Sequence, residues 1–291
     1  MQAAHGSERR TRRLSRLRVT VILGIAVGAA ALPIAPLAGQ VRVKLHPETV
    51  TAFEAYAKDI DDQFSGRLQG DSWFLRGEDE SRWGERLDSG GIIVEPSDGQ
   101  GAHEIPHGLI HDWTAAMLVP GVDIEALVGI VTAYDSHAVT YQPAVLRSRI
   151  ADRDGSKLRV SMRLVKRNVL TVVLETEHLA EFDRLHDRRW WGRSRSTSIR
   201  EVVHAGKPGE TLRPRGHDSG FLWRLNVYWR FETRGRGTVV EHRAVSLTRD
   251  LPKGLRWLLR PVLVALPRQS LTEMMKKTRD AALAVRAEPL Q

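Results

Sequence analysis

The chain has 291 residues, 42% of them hydrophobic and 27% charged, with 24 Gly, 13 Pro, 8 Trp and no Cys. This is globular composition, with length enough for a sizeable core, and it excludes collagen-like, disulfide-stapled and wholly disordered chains. Without cysteine, thiol nucleophiles, Cys-ligated zinc and iron–sulfur clusters are excluded too. The formal charge is +9, but residues 1–39 hold six arginines against Glu8, a net +5, which leaves +4 over the other 252 residues. That is no nucleic-acid footprint, where basic residues dominate one face.

Residues 8–18 are Arg-rich, and Val19 to Ala38 carry no charge. A basic segment, an apolar run and a small-residue exit at Ala38-Gly39 are the parts of a secretory signal, so export to a periplasm or medium is expected. The alternative is an uncleaved anchor, since twenty uncharged residues just cross a bilayer. Gln40 stands where a lipoprotein signal needs cysteine.

His46 to Phe64 reads as an amphipathic helix, with Pro47 in its first turn and Val50, Phe53, Ala57, Ile60 and Phe64 at helical spacing. Residues 65–91 are polar and Gly-rich and read as a loose connection with a short helix. Ile92–Glu95 and Gly108–Val119 read as strands, followed by a helical stretch from Val122 to about Tyr134, capped near Asp123. Strands then follow in succession: Val145–Ala151, Leu158–Val165, Leu170–Leu179, Trp190–Val203, Phe221–Thr233 and Thr238–Thr248. Asp154-Gly155 between alternating apolar residues marks a hairpin, and Arg234–Gly237 marks another tight turn. The last forty residues read as helical, in a short apolar stretch Leu255–Leu266 broken by Pro261 and ended by Pro267, then an amphipathic helix Arg268–Ala287.

Strand parity carries most information. Phe221, Trp223, Leu225, Val227, Trp229 and Phe231 alternate with Leu222, Arg224, Asn226, Tyr228 and Arg230. Leu158, Val160, Met162 and Leu164 alternate with Arg159, Ser161 and Arg163. A sheet with one apolar and one Arg-studded face is antiparallel and open to water on one side, and the terminal helix is the natural cover for its apolar face. The expected class is α+β, a helix-grip in which a curved antiparallel sheet wraps around a long C-terminal helix, with an N-terminal helical extension. The expected division is 1–39 signal or anchor, 40–91 helix and linker, and 92–291 the helix-grip domain.

This order resembles the START/birch-pollen-allergen superfamily (SRPBCC), which includes polyketide cyclase-like and lipid-transfer proteins. Gly108–Trp113 ending in Val119-Pro120-Gly121 resembles its first strand, and Tyr134-Asp135 through Tyr141-Gln142-Pro143 the passage to the next. Tyr228–Glu232 with Val240-Glu241 resembles its last hairpin, and Leu247–Pro252 the lead into the final helices. The resemblance covers residues 92–287 and is one of pattern, in a superfamily that hosts carriers, sensors and enzymes alike.

His103-Glu104-Ile105-Pro106-His107 spells a zincin motif, but Pro106 and Gly108 forbid the helix that motif requires. His103, His107 and His111 at spacing four can converge in other ways, against which stands a plain polar loop. No metal and no cofactor is expected. His178, His242 and Glu241 are the weak catalytic candidates, because an inward imidazole or carboxylate supplies acid–base chemistry. Parity leaves two inner sets open on the last strand, Val239/Glu241/Arg243/Val245 or Val240/His242/Ala244/Ser246.

Met162, Leu164, Trp223, Leu225, Trp229, Phe231 and Met274 are the candidate lining of a cavity, with plain core packing as the alternative. Arg256, Trp257 and Arg260 form a candidate membrane-docking segment, against a short helix packed at the sheet's mouth. Arg188–Arg193 forms a second basic-aromatic patch, but export and the small mature charge argue against nucleic acid as a partner. The expected function is an exported binder of a hydrophobic small molecule or lipid between sheet and final helix. The alternatives are a cyclase or hydratase-like enzyme in the same cavity, and an interaction module whose cavity is filled.

Overall fold

A computed structural model describes residues 42–70, 73, 80–167, 171–235, 237–250 and 256–287, with side chains for all of these except 80–82, 256–265 and 287. The expected signal segment therefore lies outside the described residues. The strand β1 (Val43–Lys44) leads into α1 (Pro47–Leu68), where Pro47 takes a first-turn position that needs no N–H partner. A second helix, α2 (Glu80–Asp88), precedes β2 (Ile92–Pro96), β3 (Ala102–Ile105) and β4 (Gly108–Pro120). Asp123 caps α3 (Ile124–Thr132), its carboxylate accepting from the Ala126 N–H at 2.7 Å. A single 3-10 turn (Tyr134–Ser136) and α4 (His137–Thr140) follow.

The long strands come next: β5 (Val145–Asp154), β6 (Lys157–Arg167), β7 (Thr171–His186) and β8 (Arg189–Val203). Short strands β9 (Thr211–Leu212) and β10 (His217–Asp218) lead to β11 (Arg224–Arg234) and β12 (Gly237–Arg249), and α5 (Arg256–Ala287) ends the order. The main sheet runs β2-β4-β12-β11-β8-β7-β6-β5, antiparallel at every step. The Asp154-Gly155 hairpin is present, with Gly155 at φ 55, in the left-handed region that glycine enters without strain.

The sheet is curled. Met117 on β4 and Val160 on β6 stand five strands apart in the order, yet both belong to one apolar cluster with Val131 on α3 and Leu271, Met275 and Ala282 on α5. Register shifts at Val145/Arg147, Ile150/Asp152 and Glu177/His178 supply the bends. The last helix is held from several sides. Lys166 reaches Ser270, Tyr141 Oη lies 3.0 Å from Thr278 Oγ1, Arg279 donates to the Gly90 carbonyl at 3.0 Å, and Arg286 to that of Pro120 at 3.3 Å. The architecture is a helix-grip.

Three expectations are corrected. The final helix is a single element through Pro261 and Pro267. Each proline removes one ladder bond and crowds the carbonyl four residues back, a local cost that leaves the helix of 32 residues, with Leu271, Met275 and Ala282 in the main core, unbroken. The convex face is not open to water over its whole width. Under β4, β12 and β11 it is covered by α1, through Phe53, Ala57, Ile60 and Phe64 against Ile110, Tyr228, Val245 and Leu247. Trp83 and Leu87 of α2 cover Ile93, Ala116 and Val239 beside them. Helices α1 and α2 thus pack directly on the sheet.

Only the β5–β8 half of the convex face keeps the expected charged surface, where Arg163 binds Glu175 at 2.5 Å and Glu210 at 2.7 Å, and Arg193 binds Glu181 at 2.7 Å. Third, Trp223 lies outside the main core, in the cluster beneath α1. It precedes β11, so the strand's two-residue period does not extend to it.

Candidate functional site

The concave face carries single polar side chains among apolar ones. Cross-strand register places Phe182, Gly192, Trp229, His242 and Ala115 in one row across β7, β8, β11, β12 and β4. Trp229 stacks on Phe231 with centroids 5.8 Å apart and planes within 7°, and both belong to the main core. Gly192 has a defined reason to lack a side chain, since a Cβ there would fall 2.3 Å from the Phe182 ring.

A second row runs Val160, His178, Ser196, Leu225, Ser246 and His111. Ser196 Oγ accepts the Leu225 N–H at 2.9 Å, and the other steps are register pairs. Three of the chain's histidines therefore face the concave side. His111 and His242 are 3% and 4% exposed, and His178 only 2%.

Burial fixes their state. It pulls the imidazoles of His178 and His111 down to about 4, and that of His242 to about 3. At neutral pH all three are uncharged, each offering one donor and one acceptor. His111 Nε2 lies 3.1 Å from Thr248 Oγ1. His111 Nδ1, His178 Nε2, His242 Nδ1, Ser148 Oγ and Trp190 Nε1 are buried with no hydrogen-bond partner among the described residues. Such a group costs about 1–3 kcal/mol when left unmade, so five on one side of one sheet is an unusual accumulation.

Among the candidates, Val240/His242/Ala244/Ser246 proves to be the inner set of β12. Glu241 faces the other way and binds Arg230 Nη1 at 3.0 Å, both groups 2% exposed or less. It is therefore removed from the candidate acid–base set. Met162 and Met274 pack at the margin of the main core, while Leu164 and Leu225 join Val172, Leu174 and Ile199 in a smaller cluster. Trp223 belongs to the convex side, its indole N–H donating to Asp218 Oδ1 at 2.9 Å. Arg256, Trp257 and Arg260 lie on α5, but their side chains are outside the described residues.

The zincin-like letters span a hairpin: His103 is on β3, Pro106-His107 make the turn, and β4 starts at Gly108. His103 binds Asp98 at 2.7 Å and His107 binds Glu48 at 2.8 Å, while His111 is buried, so the three do not converge. Ser148 and Trp190 were missed as site residues, and His111 was weighed only as a metal ligand. For His111 a usable signal existed, since it shares the parity of Trp113, Ala115 and Met117.

A groove of about 630 Å³ lies at the β5 edge, lined by Ala138, Leu146, Arg147, Ser148, Arg149 and Arg163 among others.

No family model matches the chain, and no curated protein matches it. Solved structures do. The protein TTHA0849 from Thermus thermophilus is similar at 16% identity and a TM-score of 0.43, over 59% of this chain and 97% of that one. A STAR-related lipid transfer protein fragment from Xanthomonas axonopodis follows at 13% and 0.41, over 62% and 99%. The Zhui aromatase/cyclase from Streptomyces sp. R1128 stands at 12% and 0.40, over 62% and 98%. Each is a likeness of fold alone.

Proposed function

We propose that the protein binds a largely apolar small molecule, bearing at least one oxygen or nitrogen function, between the concave sheet and α5. The observation that carries this is the set of buried, unpartnered polar atoms on an otherwise apolar concave face: His178 Nε2, His242 Nδ1, His111 Nδ1, Ser148 Oγ and Trp190 Nε1. A solid core has no use for them, because each raises the free energy of the folded chain. A ligand with a carbonyl or hydroxyl satisfies those it reaches, and apolar burial at about 25 cal/mol per Å² supplies the driving force.

The lipid-transfer and aromatase/cyclase names of the similar structures lie in the same direction and add no weight of their own. Export, or anchoring at the membrane, is part of the same reading and rests on the Arg-rich and then uncharged residues 8–38.

A second reading has its own observation. His178 and His242 present neutral imidazoles to the same side, the state in which an imidazole accepts a proton from a bound substrate. Among the described residues neither has a carboxylate to orient it once Glu241 is on the far face, which favours binding over acid–base turnover.

The test is native mass spectrometry of protein purified from its source, followed by titration with an environment-sensitive apolar dye. One bound small molecule per chain, or saturable dye uptake lost on replacing Ser148 by Leu and His178 by Trp, supports the reading. A chain that emerges empty and takes up no dye discards it.

A further inference from the structure

We infer that His46, Glu48 and His107 form a surface site for a zinc ion, independent of the concave face. Among the described residues these three bring one ligand-type atom each to within 4.8 Å of the others. His107 Nε2 lies 2.8 Å from Glu48 Oε1, and the rings of His46 and His107 stand 4.2 Å apart at centroid. Tetrahedral zinc with bonds of about 2.0–2.1 Å needs its ligand atoms roughly 3.3 Å apart, so the His46 and His107 rings, stacked with planes 17° apart, turn out of the stack until their nitrogens converge with the Glu48 carboxylate. Two imidazoles and one carboxylate form a donor set suited to zinc, and they leave a fourth position for water. Glu48 and His107 are both more than half exposed, which gives the ion a path from solvent.

The juxtaposition is tertiary and anchored. His46 and Glu48 belong to the start of α1, whereas His107 sits in the β3–β4 turn. Thr49 Oγ1 donates to the Pro106 carbonyl at 2.8 Å, clamping the turn on the helix. Gly108 packs so closely there that a Cβ would meet Thr49 Cγ2 at 2.7 Å. His107 itself holds φ 55, a conformation that non-glycine residues adopt seldom. The amino end of α1 opposes a cation, and the Glu48 carboxylate in its first turn offsets that field. A zinc ion here would cross-link α1 to the sheet from outside. It uses one histidine of the zincin-like letters, with partners those letters do not contain.

The full chain, freed of metal by dialysis, is titrated with zinc chloride alone in a calorimeter and melted with and without zinc. The expected result is one zinc per chain and a melting temperature that rises with zinc. Glu48→Gln and His107→Gly should each weaken zinc binding more than about tenfold, while His103→Ala binds as the wild type does. Glycine at 107 suits the left-handed backbone and keeps the turn, and circular dichroism confirms the fold of each variant. No zinc-dependent heat, or zinc binding unchanged in both E48Q and H107G, overturns the assignment.

Discussion

His242 stands edge-on to Trp229 on the concave face, ring centroids 4.1 Å apart, while Glu241, its neighbour in sequence, is bound to Arg230 on the convex face. The imidazole is thus enclosed by apolar groups and held neutral, far below its ordinary titration range. His111, His137 and His178 are depressed to about 4 by the same burial. In the unfolded chain each takes a proton near pH 6.5, and in the folded protein only near pH 4 or below. Their contribution to stability is complete above pH 6.5 and is lost as pH falls from there towards the folded values. Each histidine adds up to about 1.4 kcal/mol per pH unit to that slope. Urea unfolding between pH 7.5 and 5 should show stability falling with pH, and a His178→Phe variant should show a shallower fall.

Asp112 offers a second measurable balance. Its carboxylate, fully buried, accepts from Arg243 Nε at 2.8 Å and from the Tyr56 hydroxyl at 2.7 Å. Burial and the adjacent carboxylate push the Tyr56 phenol well up. Asp112→Ala leaves the Arg243 guanidinium buried without its counter-charge and should cost about 3–5 kcal/mol in urea unfolding. Replacing Asp112 by Leu and Arg243 by Met together should recover most of that loss, because a matched apolar pair removes both desolvation penalties.

How far the sequence could be read follows from which faces are covered. Alternation on β6 and β11 located the concave side, because on β6 the opposite side is charged and solvated. It failed on β12, where Val239, Arg243 and Val245 are as buried as Val240 and His242, so both parities look apolar enough. It failed at Trp223 because the chain there has not yet entered the strand. Helix α1 was legible from its spacing, but its partner was not, since the Ile110, Val245 and Leu247 positions it covers also suit an inner face. The scattered polar groups of the concave face were the least legible feature. They are single residues on five strands whose register no local signal reports.

Gly192 supplies a prediction about packing. It lies opposite both Phe182 and Trp229 in the concave row, and the Phe182 ring occupies the space of its missing Cβ. Phe182 is itself 5% exposed and has little freedom to retreat. Gly192→Ala should therefore destabilise by about 1–3 kcal/mol through overpacking, read as a lower urea midpoint at unchanged m-value. Gly66 on α1, where nothing lies within 4 Å of an added Cβ, is the control. Gly66→Ala should stabilise by about 0.5–1 kcal/mol through helix propensity.

Trp229 and Trp223 separate site from scaffold. Both are buried, at 6% and 2% exposure, but on opposite sides of the sheet. Truncating either should cost about 3–5 kcal/mol, as for any large buried aromatic. Trp223→Ala also removes the indole N–H from the Asp218 carboxylate, which keeps its bond from the Gly220 N–H at 2.7 Å. Stability alone therefore does not distinguish the two variants; uptake of an apolar dye does. Trp229→Ala enlarges the concave apolar row and should change dye affinity and stoichiometry at a temperature where the variant remains folded. Trp223→Ala alters only the packing under α1 and should bind dye as the wild type does. Equal loss of dye binding in both variants would mean that uptake follows global loosening rather than the space between sheet and helix.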